Sequence, residues 1–135
     1  MTGTVLPTVR YAVAGTFLEA LAAQDFTGLG ATLAEDAELH ALVPRGLREW
    51  HGPDEICAAF ATWFGATADF ELVEAVVGDV GSRLYLRWRM RVRAQRLGDG
   101  WFVVEQQVYA DTNADGLISR LRLLCSGFCM EQSDE

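Results

Sequence analysis

Hydrophobic residues in the first half of the chain recur at three- and four-residue spacing; in the second half they occupy every other position. Val13, Phe17 and Leu21, with Ala14 and Leu18 beside them, predict a helix in the first third. Asp25 is placed to cap a second, shorter helix carrying Leu29 and Leu33, which Gly28 and Gly30 weaken. Residues 37–43 read as a short strand closed by Pro44. After a loop, Pro53 suits the first position of a third helix, and Asp54 and Glu55 complement its positive end. Ile56, Phe60, Trp63 and Phe64 form the apolar stripe of that helix.

From Phe70 the period drops to two. Residues 70–80 read as one strand, and Gly81-Ser82 as a turn. Residues 84–97 alternate throughout: Leu84, Leu86, Trp88, Met90, Val92 and Ala94 share one face, with Arg87, Arg89, Arg91 and Arg93 on the other. Gly98-Asp99-Gly100 reads as the loop of a hairpin. A three-residue loop sets Arg93 against Glu105, Arg91 against Gln107, Arg89 against Tyr109 and Arg87 against Asp111. A two-residue loop sets the same arginines against Val104, Gln106, Val108 and Ala110, and pairing chemistry favours the first. Asn113 to Gly116 forms another turn, and residues 117–128 a last strand. Helices first and an antiparallel meander last is an α+β pattern, the helices covering the apolar face of the sheet. No repeat or linker divides residues 1–135, which read as a single domain.

Composition narrows the function classes. There are 11 basic residues, all arginine, against 19 acidic ones, a formal net charge of -8. That balance argues against a general affinity for nucleic acid or an anionic membrane. No apolar run approaches the roughly 18 residues of a membrane span. The start lacks the pattern of a secretory signal, and Cys57, Cys125 and Cys129 form no CxxC, so a cytoplasmic protein with reduced thiols is expected. The polar residues 131–135 are expected to fray. His40 and His51 have neither HxH nor HxxxH spacing, which predicts no metal site, and no cofactor motif is present.

The order of elements resembles the nuclear transport factor 2-like superfamily. Residues 21–29 followed by 33–39 are similar to the helix-helix-strand entry of ketosteroid isomerases and SnoaL-like polyketide cyclases. His51-Gly52-Pro53-Asp54-Glu55-Ile56 is similar to the third-helix start of that group, and Asp115-Gly116-Leu117-Ile118 to the turn before its last strand. The resemblance implies a cone-shaped, curved antiparallel sheet wrapped around three N-terminal helices, with an apolar pocket. It implies a small pocket enzyme of cyclase, isomerase or dehydratase type, acting in secondary metabolism on a polyketide, steroid or terpenoid. The alternative is a non-catalytic binding or accessory protein of the same fold. The seats for a carboxylate base and a phenol donor fall on Ala41 and Phe17, which carry neither group, so ordinary ketosteroid isomerisation is not expected. Residues 117–130 hold no Asp or Glu for the acid that the cyclases place on the last strand.

The residues themselves supply fewer candidates. His40 lies beside the empty base seat and carries an imidazole, a common acid–base group, although strict alternation points it away from Leu39, Ala41 and Val43 and only a bulge or a one-residue slip would reverse that. Gln106 is the single amide on the face of Phe102, Val104, Val108 and Ala110, and is placed to orient a substrate. Together His40 and Gln106 are the candidate catalytic pair. Phe17, Ala41, Phe60, Trp63, Trp88 and Met90 are the expected pocket walls, completed by Gln106, Val108, Leu123 and Cys125. The arginine row, extended by Arg120 and Arg122, reads as the outer face of the sheet, through which a homodimer is expected to form.

Overall fold

The computed structural model describes residues 7–131; residues 132–135 of the polar tail lie outside them. Three helices, α1 (Pro7–Ala22), α2 (Phe26–Gly30) and α3 (Gly52–Phe64), pack on one face of a seven-stranded sheet. The strands are β1 (Leu33–Val43), β2 (Gly46–His51), β3 (Asp69–Val80), β4 (Arg83–Arg93), β5 (Phe102–Thr112), β6 (Ile118–Cys125) and β7 (Cys129–Met130). Their order is β2-β1-β6-β5-β4-β3, with β7 beside β5. The sheet is open and mixed, not wholly antiparallel as expected: β1 runs parallel to β6. Their neighbours in sequence fix that direction, because β1 follows the helical layer directly while β6 returns from the meander.

The helix ends follow local chemistry. Gln24 takes a left-handed φ of 55° after α1, and its side-chain amide donates to Phe64 O at 2.6 Å and to Thr67 Oγ1 at 2.9 Å, tying α1 to the end of α3. Asp25 caps α2 by accepting the Gly28 N–H at 2.9 Å. A side chain at Gly28 would strike that carboxylate as it stands, so the carboxylate would have to shift to admit one. α2 is one turn shorter than the residue pattern implied: Leu33 starts β1, and is buried there. The loop expected after Pro44 is instead a hairpin, in which β2 pairs with β1 from Val43↔Gly46 to Glu38↔His51.

The alternation of β4 survives as far as Arg93, where the chain leaves the sheet through a 3-10 turn, Gln95–Leu97. The connection to β5 is therefore longer than the Gly98–Gly100 hairpin, and the register differs from both sequence-based alternatives. Arg89 faces Glu105, Arg87 faces Gln107, Tyr85 faces Tyr109 and Arg91 faces Val103. The favoured register had the right faces and the wrong partners, since a shift of two residues on each strand preserves parity. Glu105 consequently bonds two arginines, Arg87 at 3.2 Å and Arg89 at 2.9 Å, and Arg87 also reaches Glu74 at 2.6 Å.

One cluster of buried side chains joins the helices to the concave sheet face. Phe17, Leu21, Ile56 and Phe60 from the helices meet Leu39, Leu86, Trp88, Met90 and Val108 from the sheet, all at 1% exposure or less. No helix among the described residues is long and apolar enough to cross a membrane.

The last described residues form a strap. Glu131 binds Arg91 through both carboxylate oxygens, at 2.7 and 2.9 Å, and its N–H donates to Trp101 O at 2.9 Å. Arg91 lies over the Trp101 ring at 4.2 Å. The hydrogen bonds from Arg91 hold the Glu131 carboxyl below its ordinary range. The strap is therefore fully held above the unfolded glutamate value, about pH 4.3, and is released as pH falls through the lower folded value. Amide exchange at Glu131 and Met130 is expected to accelerate over that acid window, and Glu131→Gln is expected to give the fast exchange at neutral pH. Exchange that is unchanged in the variant contradicts the strap.

Candidate functional site

Ring contacts run from the centre of the fold to its open end. Phe17 packs on Trp88 at 5.7 Å and on Phe60 at 5.8 Å; Phe60 packs on Trp63 at 5.1 Å, and Trp63 on Trp50 at 5.6 Å. The inner members are buried core, and the outer two are half-buried at a cavity. That cavity has a volume of about 460 Å³. Its walls are Val43, Pro44, Arg45, Arg48 and Trp50 from the β1–β2 hairpin, Thr62 and Trp63 from α3, and Cys125, Gly127 and Phe128 at the end of β6. Arg48 and Trp50 share a face because they are two apart on a strand, and Arg48 pairs with Ala41 on the concave side.

Gln106 is 1% exposed and its valences are largely filled. Its Oε1 accepts the Trp88 indole N–H at 2.9 Å, and its Nε2 donates to Cys125 Sγ at 3.3 Å. The Gly127 N–H donates to the same sulfur at 3.4 Å. A polar thread thus runs from Trp88 through Gln106 to the thiol at the cavity wall.

Of the ten expected pocket residues, only Trp63 and Cys125 line this mouth cavity. Phe17, Ala41, Phe60, Trp88, Met90 and Val108 are buried in the core cluster, and Gln106 reaches the cavity only through Cys125. Leu123 is buried and borders a separate depression on the outer face. The hairpin arginines, Trp50 and Phe128 were missed. Their signal was the alternation of Arg48 with Trp50 across residues 46–51, hidden because that stretch reads as a loop.

His40 requires a correction. Pairing from Glu38 to Leu42 is uninterrupted, so neither a bulge nor a slip reverses the alternation there, and the ring lies on the outer face, opposite buried Leu39 and Ala41. Its Nε2 is 3.2 Å from Glu49 Oε1 and 4.0 Å from Glu38 Oε2. His51 sits beside the same two carboxylates, at 3.4 and 3.7 Å. His40 and Gln106 are on opposite faces and form no pair.

A family model for the SnoaL-like domain matches residues 14–121. The chain belongs to this SnoaL-like family. Solved structures agree on the fold. A polyketide cyclase candidate of Xanthomonas campestris pv. campestris is 20% identical, with a TM-score of 0.66 over 87% of this chain and 90% of that one. AusH from Aspergillus nidulans is 14% identical, with a TM-score of 0.69 over 90% and 86%. A phenazine biosynthesis-related protein of Pseudomonas aeruginosa is 12% identical, with a TM-score of 0.67 over 95% and 93%. No curated protein matches the sequence. The SnoaL-like fold, a nuclear transport factor 2-like one, is thus shared, while the seats at positions 17 and 41 hold Phe and Ala.

Loss of the Trp88 indole N–H leaves a buried acceptor on Gln106 unpaired. Trp88→Phe is therefore expected to destabilise the SnoaL-like domain by about 1–3 kcal/mol beyond the lost ring volume. Adding Gln106→Leu to that variant is expected to recover part of the loss in thermal denaturation. Additive losses in the double variant contradict the coupling.

Proposed function

We propose that residues 1–135 form one SnoaL-like domain that takes a flat, largely apolar metabolite into the cavity at the open end of the fold. A polyketide, steroid or terpenoid of secondary metabolism has the required shape. The observation that carries this is the cavity itself, about 460 Å³ and walled by Trp50, Trp63 and Phe128, at the end of a continuous aromatic packing. That size falls within the usual range for small-molecule sites. Three free thiols, Cys57, Cys125 and Cys129, favour a reducing, cytoplasmic setting. Among the described residues the cavity walls hold no carboxylate and no imidazole, which favours binding over proton transfer.

A catalytic reading, of cyclase, isomerase or dehydratase type, has one observation in its favour. Cys125 presents a thiol to the cavity that accepts two N–H donors, one from Gln106. In that reading Cys125 is the reacting or proton-carrying group and Gln106 positions it.

Binding is tested by titrating the protein with a neutral two- or three-ring aromatic while following tryptophan emission. Saturable quenching is expected. Thr62→Phe, at an exposed position on the α3 wall, is expected to weaken binding at least tenfold with an unchanged melting temperature. Equal binding to both proteins sinks the assignment to this cavity.

We further propose that two copies pair through the outer sheet face, at its β2-β1-β6 end. The arginine row no longer motivates this, because carboxylates of the same chain satisfy Arg83, Arg87, Arg89, Arg91 and Arg93. Apolar side chains do: Leu42, Leu47, Leu124 and Tyr109 are 49%, 67%, 50% and 41% exposed. Leu47, Leu42 and Leu124 lie in one cross-strand row, and Glu49, His40 and Arg122 in the next. A two-fold axis parallel to the strands and over His40 sets each Glu49 against the other copy's Arg122. Light scattering is expected to give twice the 14.9 kDa chain mass, and Leu47→Asp to shift it towards one chain. A monomeric unaltered protein at micromolar concentration rules this out.

A further inference from the structure

Among the described residues, every ionisable group on the wall of the mouth cavity other than the Cys125 thiol is a guanidinium, and this runs against the composition. The chain carries 19 acidic side chains and only 11 basic ones, yet among the described residues the cavity is lined by Arg45 and Arg48 with no Asp or Glu. Neither arginine forms an ion pair among the described residues. The carboxylate next to Arg48, Glu49, points to the opposite face, where it lies 3.2 Å from His40 Nε2 and 3.4 Å from His51 Nε2. Among the described residues, the one hydrogen bond of the Arg48 side chain is a long one from Nη1 to Leu47 O, at 3.5 Å. Arg96 adds a third guanidinium against the same walls, donating to Trp63 O at 2.5 Å and lying over the Phe128 ring at 5.0 Å.

Register gives Arg48 its meaning. On the concave face it stands across from Ala41, the position at which the resemblance implies a carboxylate base. The sheet there presents a cation and has no proton acceptor, so an anionic group on the ligand meets favourable charge. The aromatic walls of Trp50, Trp63 and Phe128 accept a flat ring next to it.

Resting on the binding function proposed above, we infer that the cavity selects flat ring acids, holding the ligand carboxylate with Arg48 and Arg45 and the ring system between the aromatic walls. Two guanidiniums on one hairpin suit a carboxylate, whose two oxygens accept paired N–H donors. A net charge of -8 makes this local reversal selective: the rest of the surface repels the acids that the mouth attracts.

The test compares matched ligands. The full chain is titrated with 2-naphthoate and anthracene-2-carboxylate, and with their neutral amides, by calorimetry and tryptophan quenching. Each acid is expected to bind at least about tenfold tighter than its amide, an advantage that shrinks in about 1 M salt. In Arg45→Gln/Arg48→Gln the advantage of each acid over its own amide is expected to fall below about twofold. Both positions are exposed, so the variant is expected to fold, with circular dichroism as the check. Acids and amides binding equally, with Thr62→Phe blocking both, overturns the selection of acids and leaves the cavity as a binding site. An acid advantage that persists in the double variant overturns the role of these arginines. No saturable binding by any of the four overturns both the acid selection and the binding function.

Discussion

Trp88 projects from the middle of β4 into the space that the helices must cover, and its ring fixes what can pack above it. Phe17 and Phe60 close on it from α1 and α3, at 5.7 and 6.2 Å. An indole buried to 1% exposure needs a partner for its N–H, and Gln106 on β5 supplies it. The glutamine is therefore a consequence of the tryptophan. Its second bond, to Cys125, extends the same requirement to the end of β6 and to the edge of the cavity. Packing, polar satisfaction and the position of the mouth thiol are linked through one side chain.

The two faces of the sheet solve different problems. The concave face is dominated by rings and aliphatic groups, with Gln106 as the internal polar exception on β5. The convex face carries a lattice of ion pairs over β3, β4 and β5, then changes character over β2, β1 and β6, where leucines are exposed beside the His40–Glu49 pair. Surface ion pairs of this kind contribute little each. Their effect here is to consume the charges of Arg83 to Arg93, whereas Arg45 and Arg48 at the mouth form no ion pair among the described residues.

The strands that alternate most strictly were the most legible in the sequence. β4 shows its faces residue by residue, and the parity of β5 followed from it, with Gln106 correctly placed inside. Register was harder because parity is insensitive to a shift of two residues. The glycines at 98 and 100 looked like a tight turn, whereas the chain had already left the sheet at Arg93. β2 escaped notice because Gly46, Arg48 and Glu49 dilute its apolar signal, and its pairing with β1 is a tertiary fact. The cavity was hidden for a related reason. Its walls come from three separate segments, and no local pattern marks residues that meet only after folding. His40 shows the converse: simple alternation placed it outward, and the appeal to a bulge was unnecessary.

The parallel contact between β1 and β6 orders events in time. The β1–β2 hairpin lies at the edge of the sheet, and β6, its neighbour there, is some eighty residues further along the chain. The meander from β3 to β6 consists of antiparallel neighbours that can zip up locally, but the hairpin has no sheet to join until β6 exists. During synthesis, the N-terminal half must wait for nearly the whole chain to emerge. The mouth cavity, with one wall on that hairpin and another just after β6, is then among the last parts of the molecule to take shape.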